Sequence, residues 1–112
     1  MLYQNLESIN LKFNEQKLIP IVVQEHKTGQ VLMMAWMNRN SIAKTILTKD
    51  MTYWSRSRKK LWRKGEQSGN TQRLISLFVD CDKDCLLAQV EQIGPACHTN
   101  NKSCFYTEIN KS

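Results

Sequence analysis

Apolar and β-branched residues fall into short runs that are separated by polar, glycine-containing segments. The run at residues 18–24 is rich in isoleucine and valine, which predicts a β-strand. A turn is predicted at residues 27–30, where Gly29 can take a positive φ. The nearly continuous apolar run at residues 31–37 then predicts a second strand that is buried on both faces, so the two strands form a hairpin.

The next segment changes from the strand pattern to a short helix pattern. Asn38 or Asn40 can cap a helix over residues 41–47, in which Ile42 and Ile46 fall on one face. Further strands are predicted at residues 51–55, 72–79, 86–92 and 105–109. The pattern therefore predicts an α+β fold, a small and mainly antiparallel β domain with one or two short helices.

Length and composition place the chain among single-domain globular proteins. Its 112 residues correspond to one domain, and 41% of them are hydrophobic. No apolar run approaches the roughly 18 residues that a membrane span needs. The N-terminus lacks a basic segment followed by an apolar one, so we expect no signal peptide and a cytoplasmic location. Clustered cysteines in that compartment are more often ligands or catalysts than disulfides.

The net charge of +6 indicates an anionic partner, and most of the charge lies in one segment, residues 56–64. Arginine side chains there suit phosphate oxygens and the tryptophans suit bases, while the glycines that follow let backbone amides approach an anion. The segment could be a phosphate cradle, a surface that tracks a nucleic-acid backbone, or a solvated charged loop. As a cradle, its candidate substrate-binding residues are Arg56, Arg58, Trp62, Lys64, Ser68 and Gly69.

Three carboxylates, Asp80, Asp82 and Asp84, alternate directly after a predicted strand. Residues spaced by two share one face of a strand, so these side chains would repel one another unless a cation such as Mg²⁺ neutralised them. A solvated acidic turn is the alternative. An EF-hand is excluded because Cys85 stands where the loop needs glycine and because the flanking segments are predicted strands.

Three thiols, Cys81, Cys97 and Cys104, provide a ligand set for zinc. With water in the fourth position the site would be catalytic, whereas Cys85 as a fourth ligand would make it structural. Ordinary reduced cysteines are the third alternative. His98 is awkwardly placed to bind the same ion as its neighbour Cys97, but it could move a proton. It could equally be a loop histidine bonded to a backbone carbonyl.

Taken together, four segments of this sequence resemble the phosphoribosyl-AMP cyclohydrolase family of histidine biosynthesis. They are residues 21–38 (IVVQEHKTGQVLMMAWMN), 53–70 (YWSRSRKKLWRKGEQSGN), 80–84 (DCDKD) and 95–105 (PACHTNNKSCF). The segments occur in the family's order and span most of the chain from about residue 11 to residue 106.

The resemblance implies a zinc- and magnesium-dependent hydrolase that opens the adenine ring of N1-(5-phosphoribosyl)-AMP between N1 and C6. Together with the ligand set it leads to the hypothesis that a zinc-activated water is the nucleophile and that His98 moves the proton. The product is the formimino-aminoimidazole carboxamide ribonucleotide, in the third step of the pathway. The resemblance also implies an intertwined homodimer that shares its zinc site, since the family takes the Cys81 ligand from the other subunit. The implied zinc ligands are Cys81, Cys97 and Cys104, and the implied magnesium ligands are Asp80, Asp82 and Asp84.

Two positions depart from the family's pattern, and two other functions remain open. Asn100 replaces a glycine that usually follows the CHT segment, but asparagine tolerates the left-handed conformation. Cys85 lies outside the family's ligand set.

We expect residues 1–112 to form one cyclohydrolase domain without the fused pyrophosphohydrolase domain of many relatives, and without nucleic-acid or membrane partners. The alternatives are a zinc-stabilised nucleic-acid-binding module and a related enzyme for another purine nucleotide.

Overall fold

Six strands and one α-helix form the domain, and a computed structural model describes residues 5–110. A four-stranded sheet has the order β2-β1-β6-β5, and a separate two-stranded sheet pairs β3 with β4. All pairs are antiparallel except β1 with β6, which run parallel. The elements are a 3₁₀ turn at Leu6–Ser8, then β1 (Ile19–Glu25), β2 (Val31–Met37), α1 (Arg39–Thr48), β3 (Thr52–Ser55), β4 (Lys60–Arg63), β5 (Gln72–Val79) and β6 (Leu86–Gln92).

The predicted hairpin is present, with Gly29 at a φ of 77° in its turn. The expectation that its second strand is buried on both faces was wrong, because Val31 and Met34 are about two-fifths exposed. β2 is an edge strand of the sheet, so some of its side chains remain accessible to solvent. The strand therefore has long apolar side chains available beside a cavity.

The helix begins two residues earlier than predicted, and Asn38 is its N-cap. The Asn38 side chain accepts a hydrogen bond from the Ser41 amide at 2.8 Å, while the Asn38 amide donates to the Ser41 hydroxyl at 2.9 Å. This reciprocal pair satisfies groups that a helix start leaves unpaired. Ile42 and Thr45 are fully buried on the face that packs toward β2 and β3.

Two further sequence predictions were wrong. Lys60–Arg63, assigned to a basic loop, is strand β4 and pairs with β3. The strand predicted at residues 105–109 is absent, since Phe105, Tyr106 and Ile109 are exposed and outside regular structure. Ser103 and Cys104 instead bond to the carbonyls of Val31 and Leu32 at the edge of β2.

The core lies between the four-stranded sheet and the layer formed by α1 and β3. It includes fully buried side chains from both layers, among them Ile19, Ile21, Leu32, Ile42 and Tyr53. Within residues 5–110 no helix has the length and apolarity that a membrane span requires. The loops that follow β4, β5 and β6 leave this core and carry most of the candidate site residues.

Candidate active site

A cavity of about 540 Å³ lies where the edge strand β2, strand β4 and the loop after β6 meet. This size is typical of sites for small-molecule ligands. Several predicted substrate-binding residues line it together with two of the cysteines. The lining comprises Met33, Met34, Ala35, Arg58, Trp62, Lys64, Gly65, Glu66, Gln67, Ser68, Asn70, Pro95, Ala96, Cys97, His98, Asn100 and Cys104.

Cys97 and Cys104 lie side by side at this cavity and interact through their thiols. The Thr99 hydroxyl donates to Cys97 Sγ at 3.0 Å, and this bond is the main reason that the pKa of Cys97 is below its usual value. Burial and the adjacent Cys97 raise the pKa of Cys104. Cys97 therefore loses its proton more readily than an ordinary cysteine, and the resulting thiolate is the form that binds a metal.

Lys64 provides the positive charge beside this pair. Its Nζ donates to the Ala96 carbonyl at 2.6 Å and lies 5.3 Å from the centre of the Trp62 ring. Burial lowers the pKa of Lys64, whereas the nearby charges of Cys104 and Cys97 act in the opposite direction. Lys64 therefore links β4 to the cysteine loop and faces the sulfurs.

The loop over residues 65–70 closes tightly on itself. Gly65 has a φ of 80°, and a Cβ at this position would lie 2.5 Å from the carbonyl carbon of Asn70. The Gly69 amide donates to the Gly65 carbonyl at 2.8 Å. Gly65 is thus needed for the close approach of two backbone segments, while Ser68 and Asn70 are left at the cavity.

A buried polar chain underlies one wall of the cavity. Tyr53, fully buried, donates from its hydroxyl to Gln72 Oε1 at 2.6 Å, and Gln72 Nε2 donates to Gln92 Oε1 at 2.7 Å. The Tyr53 ring packs against Trp62 with 5.7 Å between ring centroids. Burial raises the pKa of Tyr53, so the phenol remains neutral and keeps donating. Sequence reasoning missed these hydrogen bonds, for which the only signal was a glutamine at the start of a mainly apolar strand.

The three aspartates gather as predicted, but the structure does not place them on a strand. Residues 80–85 form the turn between β5 and β6, and Lys83 has a φ of 65°. One oxygen of each carboxylate lies within 4.8 Å of the others, and all three side chains are exposed. The Asp84 amide donates to Asp80 Oδ1 at 3.0 Å, which orients the first carboxylate.

The charges in this acidic turn affect one another. Burial acts to raise the pKa of Asp80, but hydrogen bonds from Asp84, Cys85 and Lys83 outweigh it and the pKa lies below its usual value. Its hydrogen bond with Asp80, together with the neighbouring carboxylate charges, raises the pKa of Asp84. Three oxygen donors that close to one another fit a hard cation such as Mg²⁺.

Cys81 and Cys85 lie in the acidic turn, away from the other two cysteines. The turn precedes β6 and the cysteine loop follows it, and this seven-residue strand spans about 20 Å at ~3.3 Å per residue. Burial, followed by the charges of Asp80 and Asp84, raises the pKa of Cys85, and its thiol donates to the Leu86 carbonyl. Within one chain, the described residues thus bring together two of the three thiols that were predicted to bind zinc.

The remaining predicted site residues divide between two places. Arg58, Trp62, Lys64, Ser68 and His98 line the cavity beside the cysteines, and Gly69 helps to close the loop next to it. Arg56 instead lies over the Trp36 ring, 4.8 Å from its centre, in a different depression.

Asn100 has a φ of 71°, so it takes the left-handed conformation expected of a residue that replaces glycine. Thr99, one residue before it, was not singled out from the sequence. Its side chain contacts Cys97, and the CHT segment was the only signal that could have indicated it.

Comparison with known proteins identifies the family of the chain. The sequence profile of the phosphoribosyl-AMP cyclohydrolase family matches residues 33–106. A phosphoribosyl-AMP cyclohydrolase of Cereibacter sphaeroides is 60% identical over 100 residues, which cover 89% of this chain and 84% of that protein. Proteins of the same name from a Ruegeria species and Paracoccus denitrificans are 60% and 54% identical, covering 88% and 92% of this chain and 77% and 85% of theirs.

Proposed function

The chain belongs to the phosphoribosyl-AMP cyclohydrolase family, and from this premise we propose that it opens the adenine ring of N1-(5-phosphoribosyl)-AMP with zinc and magnesium, as the third step of histidine biosynthesis. In this reaction a water oxygen bonds to C6, the bond between C6 and N1 breaks, and N1 gains a proton. The product is the formimino-aminoimidazole carboxamide ribonucleotide. The same proposal places the enzyme in the cytoplasm, where its thiols stay reduced.

One observation carries the proposal. Two adjacent thiols, one of them with a lowered pKa, share a cavity with His98 and a basic, glycine-containing loop. Sulfur ligands suit zinc, and cations with exposed backbone suit phosphates. The family's reaction needs a metal site and a phosphate site close together, because its substrate is a purine ring that carries phosphate groups.

Cys97 and Cys104 would hold zinc, and Asp80, Asp82 and Asp84 would hold magnesium. A zinc ion with an open position lowers the pKa of a bound water to about 7, which supplies a nucleophile at neutral pH. The donor sets fit these ions, since the thiols are adjacent and the carboxylate oxygens lie within 4.8 Å of one another. Lys64 offsets negative charge at the sulfurs.

The chain's other side chains have separate tasks in this proposal. Arg58 and Ser68 bind a phosphate, and Trp62 packs against the purine. His98 is exposed at the cavity directly after Cys97. It would act as a general acid and deliver the proton that N1 needs when the ring opens.

A second copy of the chain would supply the third thiol. Cys81 is exposed at the opposite end of β6 from the cavity, so its own chain does not bring it to Cys97 and Cys104. In a two-fold symmetric dimer each acidic turn can lie beside the partner's cavity. This arrangement would bring the carboxylates and the thiols of the two subunits to each site.

The test compares Cys97, which lies at the cavity, with Cys85, which lies in the acidic turn. Cys97→Ala should abolish both zinc content and turnover of phosphoribosyl-AMP, because it removes a sulfur at the cavity. Cys85→Ala should keep both, because Cys85 lies outside the proposed ligand set and its thiol bonds to the Leu86 carbonyl. Zinc is measured by atomic absorption and turnover by absorbance. Turnover by a zinc-free Cys97→Ala enzyme would refute the proposal.

A further inference from the structure

A second depression, which contains none of the cysteines, lies beside strand β3 and the start of α1, and we call it the basic groove. It consists of two adjoining cavities of about 460 and 420 Å³ that share Gln16, Leu18 and Trp54. Each is within the size range of small-molecule sites. Its lining comprises Phe13, Asn14, Gln16, Lys17, Leu18, Trp36, Asn38, Arg39, Asn40, Trp54, Arg56 and Lys59.

The charge of the basic groove has one sign. Four cations line it, and no carboxylate does. Arg39 lies 5.0 Å from the centre of the Phe13 ring and Arg56 lies 4.8 Å from the centre of the Trp36 ring, so both guanidinium groups are held over aromatic surfaces. Across residues 5–110 neither arginine has a carboxylate partner, which leaves their donors available to an anion.

A small cavity joins the basic groove to the cavity at the cysteines. It has a volume of about 190 Å³ and shares Trp36 and Trp54 with the groove. It shares Ala35, Arg58 and Trp62 with the cysteine cavity. The three depressions therefore adjoin one another, and an elongated ligand could extend from one to the next.

We propose that the basic groove binds one phosphoribosyl arm of the substrate while the cysteine cavity and its loop bind the purine and the other arm. This inference rests on the proposed function. The substrate carries its arms on N1 and N9, at opposite ends of the purine, so its two phosphates need two separate groups of cations. Arg58 and Ser68 serve the arm at the cysteine cavity, and Arg39 and Arg56 serve the distant arm.

Enzyme kinetics test the proposal with a matched control. The double variant Arg39→Gln, Arg56→Gln should raise KM for phosphoribosyl-AMP by about tenfold or more, the effect of losing ~1.4 kcal/mol of binding. Arg39→Lys, Arg56→Lys should recover most of the affinity because it keeps the charge. Lys44→Gln, which removes an exposed cation of α1 outside the groove, should leave KM unchanged. An unchanged KM in the double glutamine variant would overturn the proposal.

A binding measurement tests the groove without turnover. The chain has three tryptophans, of which Trp36 and Trp54 line the groove and Trp62 lines the cysteine cavity. On titration with ribose 5-phosphate, the indole N–H signals of Trp36 and Trp54 should shift in the NMR spectrum. Those shifts should vanish in the double glutamine variant and persist in Cys97→Ala. If both indole signals stay in place in the wild-type protein, the groove is not a phosphoribosyl site, whatever the enzyme assay shows.

Discussion

Lys64 was predicted to bind phosphate, yet its nearest partners are the cysteine loop and the two sulfurs. Its ammonium group bonds to the Ala96 carbonyl at 2.6 Å, one residue before Cys97. The side chain is half-buried, so its charge is screened less than that of the exposed Lys59 and Lys60 in the same basic segment. Lys64 is thus suited to stabilise charge at the thiols, a role that its place in the basic run did not indicate.

Lys64→Met should therefore weaken zinc binding by about 10- to 100-fold, as for other groups that support metal ligands. Methionine keeps much of the length of the side chain but removes its charge and its hydrogen bond. Zinc affinity is measured by competition with a chromophoric chelator. Lys60→Met is the matched control, since Lys60 is exposed at the start of β4, the strand that Lys64 directly follows, and its affinity should equal that of the wild type. If Lys64→Met bound zinc as tightly as the wild type, Lys64 would have no role in stabilising charge at the thiols.

Tyr53 offers a second prediction at this scale. Tyr53→Phe leaves Gln72 Oε1 without its donor in the interior, which should lower the free energy of unfolding by about 1–3 kcal/mol. Tyr106→Phe, at an exposed phenol, should cost close to nothing. Urea denaturation measures both variants. A similar loss in the two variants would show that the Tyr53 hydrogen bond contributes no more than a surface group.

Single residues were predictable where their chemistry is unusual and local. Cys97, Cys104 and His98 are close in sequence, and the structure places all three at one cavity. Thr99 and Tyr53 were not found from the sequence, because their roles depend on which sulfur or amide the fold brings to their hydroxyl groups. A threonine or tyrosine has no spacing that reveals such a partner.

At the scale of elements, the hairpin, the helix and the two long strands β5 and β6 followed from the apolar pattern. Strand β4 did not, because lysine and arginine flank its two apolar residues, Leu61 and Trp62, and only Trp62 packs against the buried Tyr53. The segment 105–109 has a strand-like composition but pairs with no strand within residues 5–110. Pattern identifies a segment that can pair, while its position relative to a sheet edge decides whether it does.

Two glycines in the loop over residues 65–70 differ in what a substitution by alanine would disturb: backbone conformation alone at Gly69, and both conformation and packing at Gly65. Gly69 has a φ of 81°, and the space that a Cβ methyl group would occupy there is open, so Gly69→Ala should cost only the left-handed strain of about 1–2 kcal/mol. Gly65→Ala adds a clash with the Asn70 backbone and should cost a further ~1–3 kcal/mol. Chemical denaturation of both variants gives the difference. Equal costs would mean that the loop relaxes freely around residue 65.

The whole molecule presents the site in two parts. The acidic turn with Cys81 and the cavity with Cys97 and Cys104 lie at opposite ends of β6, so neither part completes the other within one chain. This separation was foreseen only through the family resemblance, because spacing along the sequence suggested a compact set of three thiols. Because the extended strand β6 lies between them, Cys81 and Cys97 are close in sequence but far apart in space.

Complementation between two inactive variants tests the shared site directly. Cys81→Ala and Cys104→Ala should each be inactive alone, since each lacks one of the three thiols at every site. After denaturation and refolding together in equal amounts, half of the dimers contain one chain of each kind, and each such dimer has one intact site. Activity should therefore return to roughly a quarter of the wild-type value, as expected for random pairing in a two-fold dimer. If each site were instead built within one chain, every subunit would contain a defect and the refolded mixture would stay inactive. An inactive mixture would therefore exclude the shared arrangement.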